Sequence, residues 1–181
     1  MTMSRFIKTY VAIVVALASV SLASKAQDNN QSKSVERIAI EKLEFLVGHW
    51  AGEGTSYQAD GATSKYYDTE DVWFDVQNSV LIIQARGFRD NKQFYGLHTV
   101  IYFDAERGQY VYSPYTSKGV SRPFYCDLHG QKLICFIEDK SYRLTFQRRE
   151  NGDWNEFGER FVDGVWQKNF ETILQPATKV K

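Results

Sequence analysis

Two pairs of charged residues near the end of the chain have the types and spacing that chemistry needs. Glu156 and Glu171 would lie opposite one another if Asp163-Gly164 closes a two-residue hairpin, and Glu159 would then lie opposite Lys168. A carboxylate pair is the equipment of general acid–base catalysis. A lone charge pair in an apolar wall is the usual polar anchor of a small-molecule site. Outside these pairs the chemical inventory is thin. His49, His98 and His129 have no metal-ligand spacing. No Ser/His/Asp set is apparent. Gly48, Gly52 and Gly54 lack the strand-then-helix context of a phosphate loop. Twenty-two basic side chains balance twenty-two acidic ones, which gives no support for nucleic acid binding.

The elements that position these residues read as strands. Twelve Phe, eleven Tyr and four Trp accompany frequent turn dipeptides, a composition that favours an all-β domain. Ten strand-like runs fall near 49–58, 64–75, 79–88, 94–103, 109–114, 120–128, 131–138, 141–149, 153–162 and 165–174. Asp60-Gly61, Asn151-Gly152 and Asp163-Gly164 mark tight hairpins. A sequential meander of this length closes most simply into an up-and-down antiparallel barrel, which removes its edges. Before it, Ser34 caps a short helix and Gly48 is placed to end it.

Hairpin pairing lets the two faces be followed from strand to strand. With two-residue turns at Asp163-Gly164, Asn151-Gly152, Asp139-Lys140 and His129-Gly130, one aromatic face runs through the second half. It holds Phe124, Cys126, Leu133, Cys135, Ile137, Tyr142, Leu144, Phe146, Phe157, Phe161, Trp166 and Phe170, with Glu159 and Lys168 among them. This face is expected inside. In the first half, Leu81, Ile83 and Ala85 align with Leu97, Thr99 and Ile101 as inward, and Gln84, Arg86 and His98 as outward. The registers of the first two strands stay open. Glu156 and Glu171 share the polar face with Arg143 and Arg160, so they read as a solvated cluster; with the faces reversed they become the catalytic candidate. Cys126 and Cys135 come out diagonal, about 7–8 Å apart and beyond disulfide range, and so read as free buried thiols.

The first 26 residues read as a signal peptide. Arg5 and Lys8 precede an apolar Tyr10–Ala23, shorter than the roughly 20 residues of a membrane span, and Ser24-Lys25-Ala26 offers a cleavage site. An uncleaved anchor is the alternative. Residues 27–33 form a polar linker, 34–176 the barrel domain and 177–181 a tail. The protein is expected in the periplasm or secreted, with no stable membrane anchor after cleavage. There the cysteines meet an oxidising compartment, which permits a disulfide.

Leu46-Val47-Gly48-His49-Trp50-Ala51-Gly52-Glu53-Gly54 resembles the opening of nitrobindin-type barrels and other calycin-like (lipocalin-like) proteins. Trp154 to Glu159, Val165-Trp166 and Phe170-Glu171 resemble the tail of secreted lipocalin-like proteins. The resemblance implies a ten-stranded barrel with an internal cavity and Trp50 near its closed end. It also implies haem held by a late histidine, whereas here no histidine follows His129 and Ser56-Tyr57-Gln58-Ala59 follows the opening glycines.

These readings converge on an exported barrel that binds a small, largely apolar molecule. The expected lining is Trp50, Tyr142, Phe157, Phe161, Trp166 and Phe170, with Glu159 or Lys168 as anchor. No cofactor is expected. The alternatives are an isomerase or hydrolase acting through Glu159 or through Glu156 and Glu171, a haem protein using His49 or His98, and a filled barrel that serves as an interaction surface.

Overall fold

The computed structural model describes residues 33–178. The expected signal segment, most of the expected linker and residues 179–181 lie outside the described residues. Helix α1 (Val35–Glu41) and a 3-10 turn (Glu44–Leu46) precede ten strands: β1 (Gly48–Tyr57), β2 (Thr63–Asp75), β3 (Val80–Arg89), β4 (Lys92–Asp104), β5 (Gln109–Thr116), β6 (Phe124–His129), β7 (Lys132–Phe136), β8 (Tyr142–Arg148), β9 (Trp154–Val162) and β10 (Val165–Pro176). Each strand pairs with its neighbours in sequence, and β1 pairs with β10, so the antiparallel barrel is closed. All ten expected strands are present.

One end is plugged. Ser34 caps α1 by accepting from the Arg37 amide at 3.3 Å. The helix stops at Glu41, and the 3-10 turn carries the chain to Gly48, whose φ of +146° opens β1. Ala39, Ile40, Leu43 and Leu46 are buried. The Tyr110 hydroxyl donates to the Ala39 carbonyl at 2.8 Å. The Trp50 indole donates to the Leu46 carbonyl at 2.8 Å and meets Trp154 edge-on. Trp50 therefore sits at the closed end, as expected.

Two face assignments need correction, and both have local causes. The Asn151-Gly152 hairpin has a longer loop than two residues. The Arg149 amide bonds the Asp153 carbonyl, and the Gly152 amide bonds the Arg149 carbonyl. Gly152 takes φ +87°, the geometry of a type I turn followed by a left-handed glycine. The register slips by one, so Phe146 pairs with Glu156 rather than Phe157. The Asp163-Gly164 turn pairs as expected, Phe161 with Trp166 and Glu159 with Lys168, but a bulge at Asn169 then slips β10 back. Between these two irregularities every side chain is reversed. Phe157, Glu159, Phe161, Trp166 and Lys168 lie on the outer face, and Glu156 points in. Tyr142 and Phe170, outside that interval, stay inside.

The cysteines are the other correction. The β6–β7 turn lies at Gly130-Gln131, since His129 pairs with Lys132, so Cys126 stands directly opposite Cys135. They form a disulfide, fully buried. The two-residue shift left the faces unchanged and brought the sulfurs together.

Candidate functional site

Away from the α1 plug the barrel holds a cavity of about 410 Å³. Aromatic rings form much of its wall: Tyr66 on β2, Phe94 and Tyr95 on β4, Tyr112 on β5 and Phe170 on β10, with Ile83, Ala85 and Leu97 between them. Glu70 and Glu156 line it from opposite sides of β1 and β10.

Two bulges shape this lining. One, between Gly87 and Phe88, is matched by Phe94 on β4; the other is at Asn169. Bulges re-aim side chains by adding a residue to one strand, and here Phe94, Tyr95, Asn169 and Phe170 all reach the cavity. Two glycines make room for the rings. A Cβ at Gly54 would fall 2.1 Å from the Tyr66 ring, and one at Gly87 would fall 2.0 Å from the Tyr95 ring. The opening glycine motif thus has a packing role.

The polar groups inside are connected. The Tyr66 hydroxyl bonds the Thr172 hydroxyl at 2.6 Å. The Tyr95 hydroxyl donates to Asp68 Oδ2. The Tyr142 hydroxyl donates to Asn169 Oδ1 at 2.9 Å. The Tyr112 hydroxyl accepts from Thr99 at 3.4 Å. Asp68 and Glu70 are almost wholly buried. Two carboxylate oxygens, Asp68 Oδ1 and Glu156 Oε2, are buried without a protein partner.

Burial with like charges nearby moves these acids far from their ordinary range. Burial pushes Asp68 up to about 7, against the bond from Tyr95, which favours its charged form. Glu70 is raised well above its ordinary range, first by burial and then by the charges of Glu156 and Asp68. Glu156 is raised by burial and by Asp68. Glu70 and Glu156 share the cavity lining, and both carboxyls hold their protons well above the usual carboxylate range. The tyrosines Tyr66, Tyr95 and Tyr112 are raised by burial and stay neutral.

The expected site residues divide accordingly. Phe170 lines the cavity, Tyr142 bonds the lining Asn169, and Trp50 packs the closed end. The other five decorate the outside. There Glu159 pairs with Arg143 rather than Lys168, and the Arg143 guanidinium lies 4.3 Å from the Trp166 ring centroid. Lys168 bonds Glu171 at 2.9 Å and lies over Phe157. Glu171 is thus on the outer face, and Glu156 has Glu70 as its partner instead. The histidines also lie outside the cavity. His49 Nδ1 meets Asp71 Oδ1 at 2.6 Å, His98 packs near Trp73, and His129 borders a groove beside α1. Among the described residues no cluster of three or more His, Cys, Asp or Glu is arranged to hold a metal ion.

Sequence reasoning missed Asp68, Glu70, Tyr66, Tyr95 and Tyr112. A signal existed for Glu70: once Leu81, Ile83 and Ala85 are inward, a four-residue turn at 76–79 sets Glu70 opposite Ala85.

No family model matches the sequence, and no curated protein matches it. Among solved structures it is similar to the Rv2717c protein of M. tuberculosis, with a TM-score of 0.58 at 12% identity. The match covers 77% of this chain and 98% of that one. The shared feature is the fold. The chain is a closed ten-stranded antiparallel barrel.

Proposed function

We propose that this barrel binds a small, largely apolar molecule inside its cavity. One observation carries the reading: about 410 Å³ of space remains between aromatic side chains that line the barrel's interior. This lies within the range of small-molecule sites, which are mostly apolar with a few convergent polar groups. The interior is closed at one end by α1 and Trp50, so a ligand enters from the end where Ser56, Tyr57, Phe94 and Asn169 stand. The nitrobindin-like opening supports the barrel and its plug; the histidines outside the cavity give haem no axial ligand within it. The buried disulfide supports a working place outside the cytoplasm, in the periplasm or beyond. No helix among the described residues is long and apolar enough to cross a membrane.

The test uses Nile red, a neutral dye that fluoresces in apolar surroundings. Saturable enhancement is expected with the protein, and loss of that enhancement in Ala85→Phe, which places a ring in the cavity. Enhancement unchanged by Ala85→Phe would place the dye elsewhere and overturn the reading.

A second reading rests on its own observation, two carboxyls, Glu70 and Glu156, in one cavity lining. Two carboxyls beside a ligand space suit proton transfer on a bound lipophilic substrate. This version of the enzyme reading uses Glu70 and Glu156 in place of Glu159 or Glu171. It predicts a bell-shaped pH–rate profile that Glu70→Gln abolishes.

A further inference from the structure

The aromatic cavity contains two carboxyl groups and no basic side chain. Its lining holds no Lys, Arg or His. Glu70 is almost wholly buried, and Asp68 stands behind it on the same strand, equally buried. Natural cores pair such groups, because a buried charge without a partner is costly. Here the pairing is incomplete: Glu156 Oε2 and Asp68 Oδ1 have no partner. A guanidinium stands at the mouth, outside the lining, with its Nε buried and unpartnered. Arg89 donates to Ser56 Oγ at 3.1 Å and lies over the Phe94 ring at 4.1 Å.

Each unsatisfied feature calls for the same group. An unpartnered carboxylate oxygen accepts a charge-assisted hydrogen bond from an ammonium. The rings of Tyr66, Tyr95 and Tyr112 attract a cation through the ring quadrupole, most strongly where water is excluded. A carboxylate or phosphate ligand would add a negative charge to a space that already cannot keep its own acids ionised.

We infer that the ligand of this cavity is a protonated amine with an apolar body, its ammonium received by Glu70 and Glu156 and its body by the aromatic wall. The inference rests on the binding reading above and narrows it to one chemical class. Binding is coupled to proton release. In the empty cavity the carboxyl pair carries a proton; the incoming ammonium replaces it, and the proton leaves to solvent. The ligand stays covalently unchanged, and the charge of the occupied cavity equals that of the empty one.

The groups facing this pair set the pH dependence. Asp68 and Tyr66 come from β2, Tyr95 from β4, Tyr112 from β5 and Tyr142 from β8, with Arg160 of β9 close enough to act on Tyr142. The tyrosines stay neutral, so the carboxyls carry the titration.

The experiment is competition against Nile red by phenethylamine, phenethyl alcohol and phenylacetate, which share one ring and differ in the head group. The expected order is amine strongest, alcohol weaker by about tenfold or more, and carboxylate weakest. Amine affinity should rise by up to about tenfold per pH unit between about pH 5 and about pH 8, as one displaced proton requires. Calorimetry in two buffers of different ionisation enthalpy should show that proton released. Glu156→Gln and Glu70→Gln should bring amine and alcohol to similar affinity, each measured against the dye affinity of that variant. Dye binding with equal competition by amine and alcohol would overturn the amine inference and leave the binding reading standing. Amine binding that is independent of pH, with no proton released, would overturn it on the unmodified protein. Absence of cavity-dependent dye binding would overturn both.

Discussion

Glu70 on β2 and Glu156 on β9 meet in one lining inside the barrel, with Asp68 close enough to raise both. The consequence for stability runs against the usual direction. Unfolded carboxyls titrate near 4, whereas Asp68 in the fold titrates at about 7 and the two glutamates are raised as well. Between those limits the folded state binds more protons than the unfolded one, so stability falls as pH rises. The contribution is complete below about pH 4 and is lost as pH passes through about 7. Exposed Glu41, lowered by Lys33 and Arg37, opposes the trend, but exposed ion pairs contribute little. Urea denaturation should therefore show lower stability at about pH 8 than at about pH 5. Glu156→Gln removes one of the competing acids and should stabilise the protein at about pH 8 by roughly 1–3 kcal/mol, with a smaller gain at about pH 5. A wild-type profile that rises steadily over that interval would contradict the buried cluster.

The disulfide gives a second prediction. Cys126 and Cys135 are nine residues apart and join adjacent strands whose register the backbone already sets. Cross-linking so short a loop is worth about 2–3 kcal/mol by restricting the unfolded chain. The Cys126→Ser/Cys135→Ser double variant should lose about that much and keep its β-sheet circular dichroism. Reductant should lower the wild-type denaturation midpoint and leave the double variant unmoved.

The contrast between what the sequence showed and what it hid follows from how a hairpin stores information. Strand existence is local: Val80 to Arg89 and Lys92 to Asp104 are rich in β-branched and aromatic residues and end at turn residues, and all ten strands were legible. The face of each strand is not local. It depends on the parity of every turn and bulge before it. Asn151-Gly152 allows a two-residue turn and equally a longer one, in which the Asn151 side chain accepts from the Asp153 amide at 3.2 Å. The chosen parity reversed residues 154–168, and the bulge at Asn169 restored it. Consistency across four turns could not expose the error, because aromatic residues occupy both faces of β9. The interior carboxyls stayed hidden for a related reason. A buried acid breaks the apolar-inward pattern that any face assignment uses, so Glu70 and Glu156 looked like surface residues.

The outer aromatic cluster is where that correction is tested directly. Phe161 is 48% exposed, and its ring lies 5.1 Å from that of Trp166, with Arg143 above the latter. Residues so placed contribute little to the core. Phe161→Ala and Trp166→Ala should each change stability by no more than about 1 kcal/mol, and Nile red should bind both variants as it binds the wild type. Loss of dye binding in either would return these rings to the interior. Phe170→Ala is the matched control: it enlarges the cavity, should cost about 2–4 kcal/mol, and should alter dye affinity.

Trp50 offers the last prediction, because it joins the plug to the barrel. Its indole is buried, donates to the Leu46 carbonyl at 2.8 Å and packs against Trp154 at 5.8 Å between ring centroids. Arg148 covers its other side at 4.3 Å. The residue therefore anchors the 3-10 turn, and through it Leu43 and Ile40, over the closed end. Trp50→Ala removes the packing and leaves the Leu46 carbonyl without its donor, an expected loss of about 3–5 kcal/mol in urea denaturation. Trp50→Phe keeps most of the ring contact and loses the bond, so about 1–3 kcal/mol is expected. The cavity lies toward the opposite end, so Trp50→Phe should bind Nile red with wild-type affinity wherever it is folded. A selective loss of dye affinity in folded Trp50→Phe would mean that the closed end, and not the space between Tyr66 and Phe170, receives the ligand.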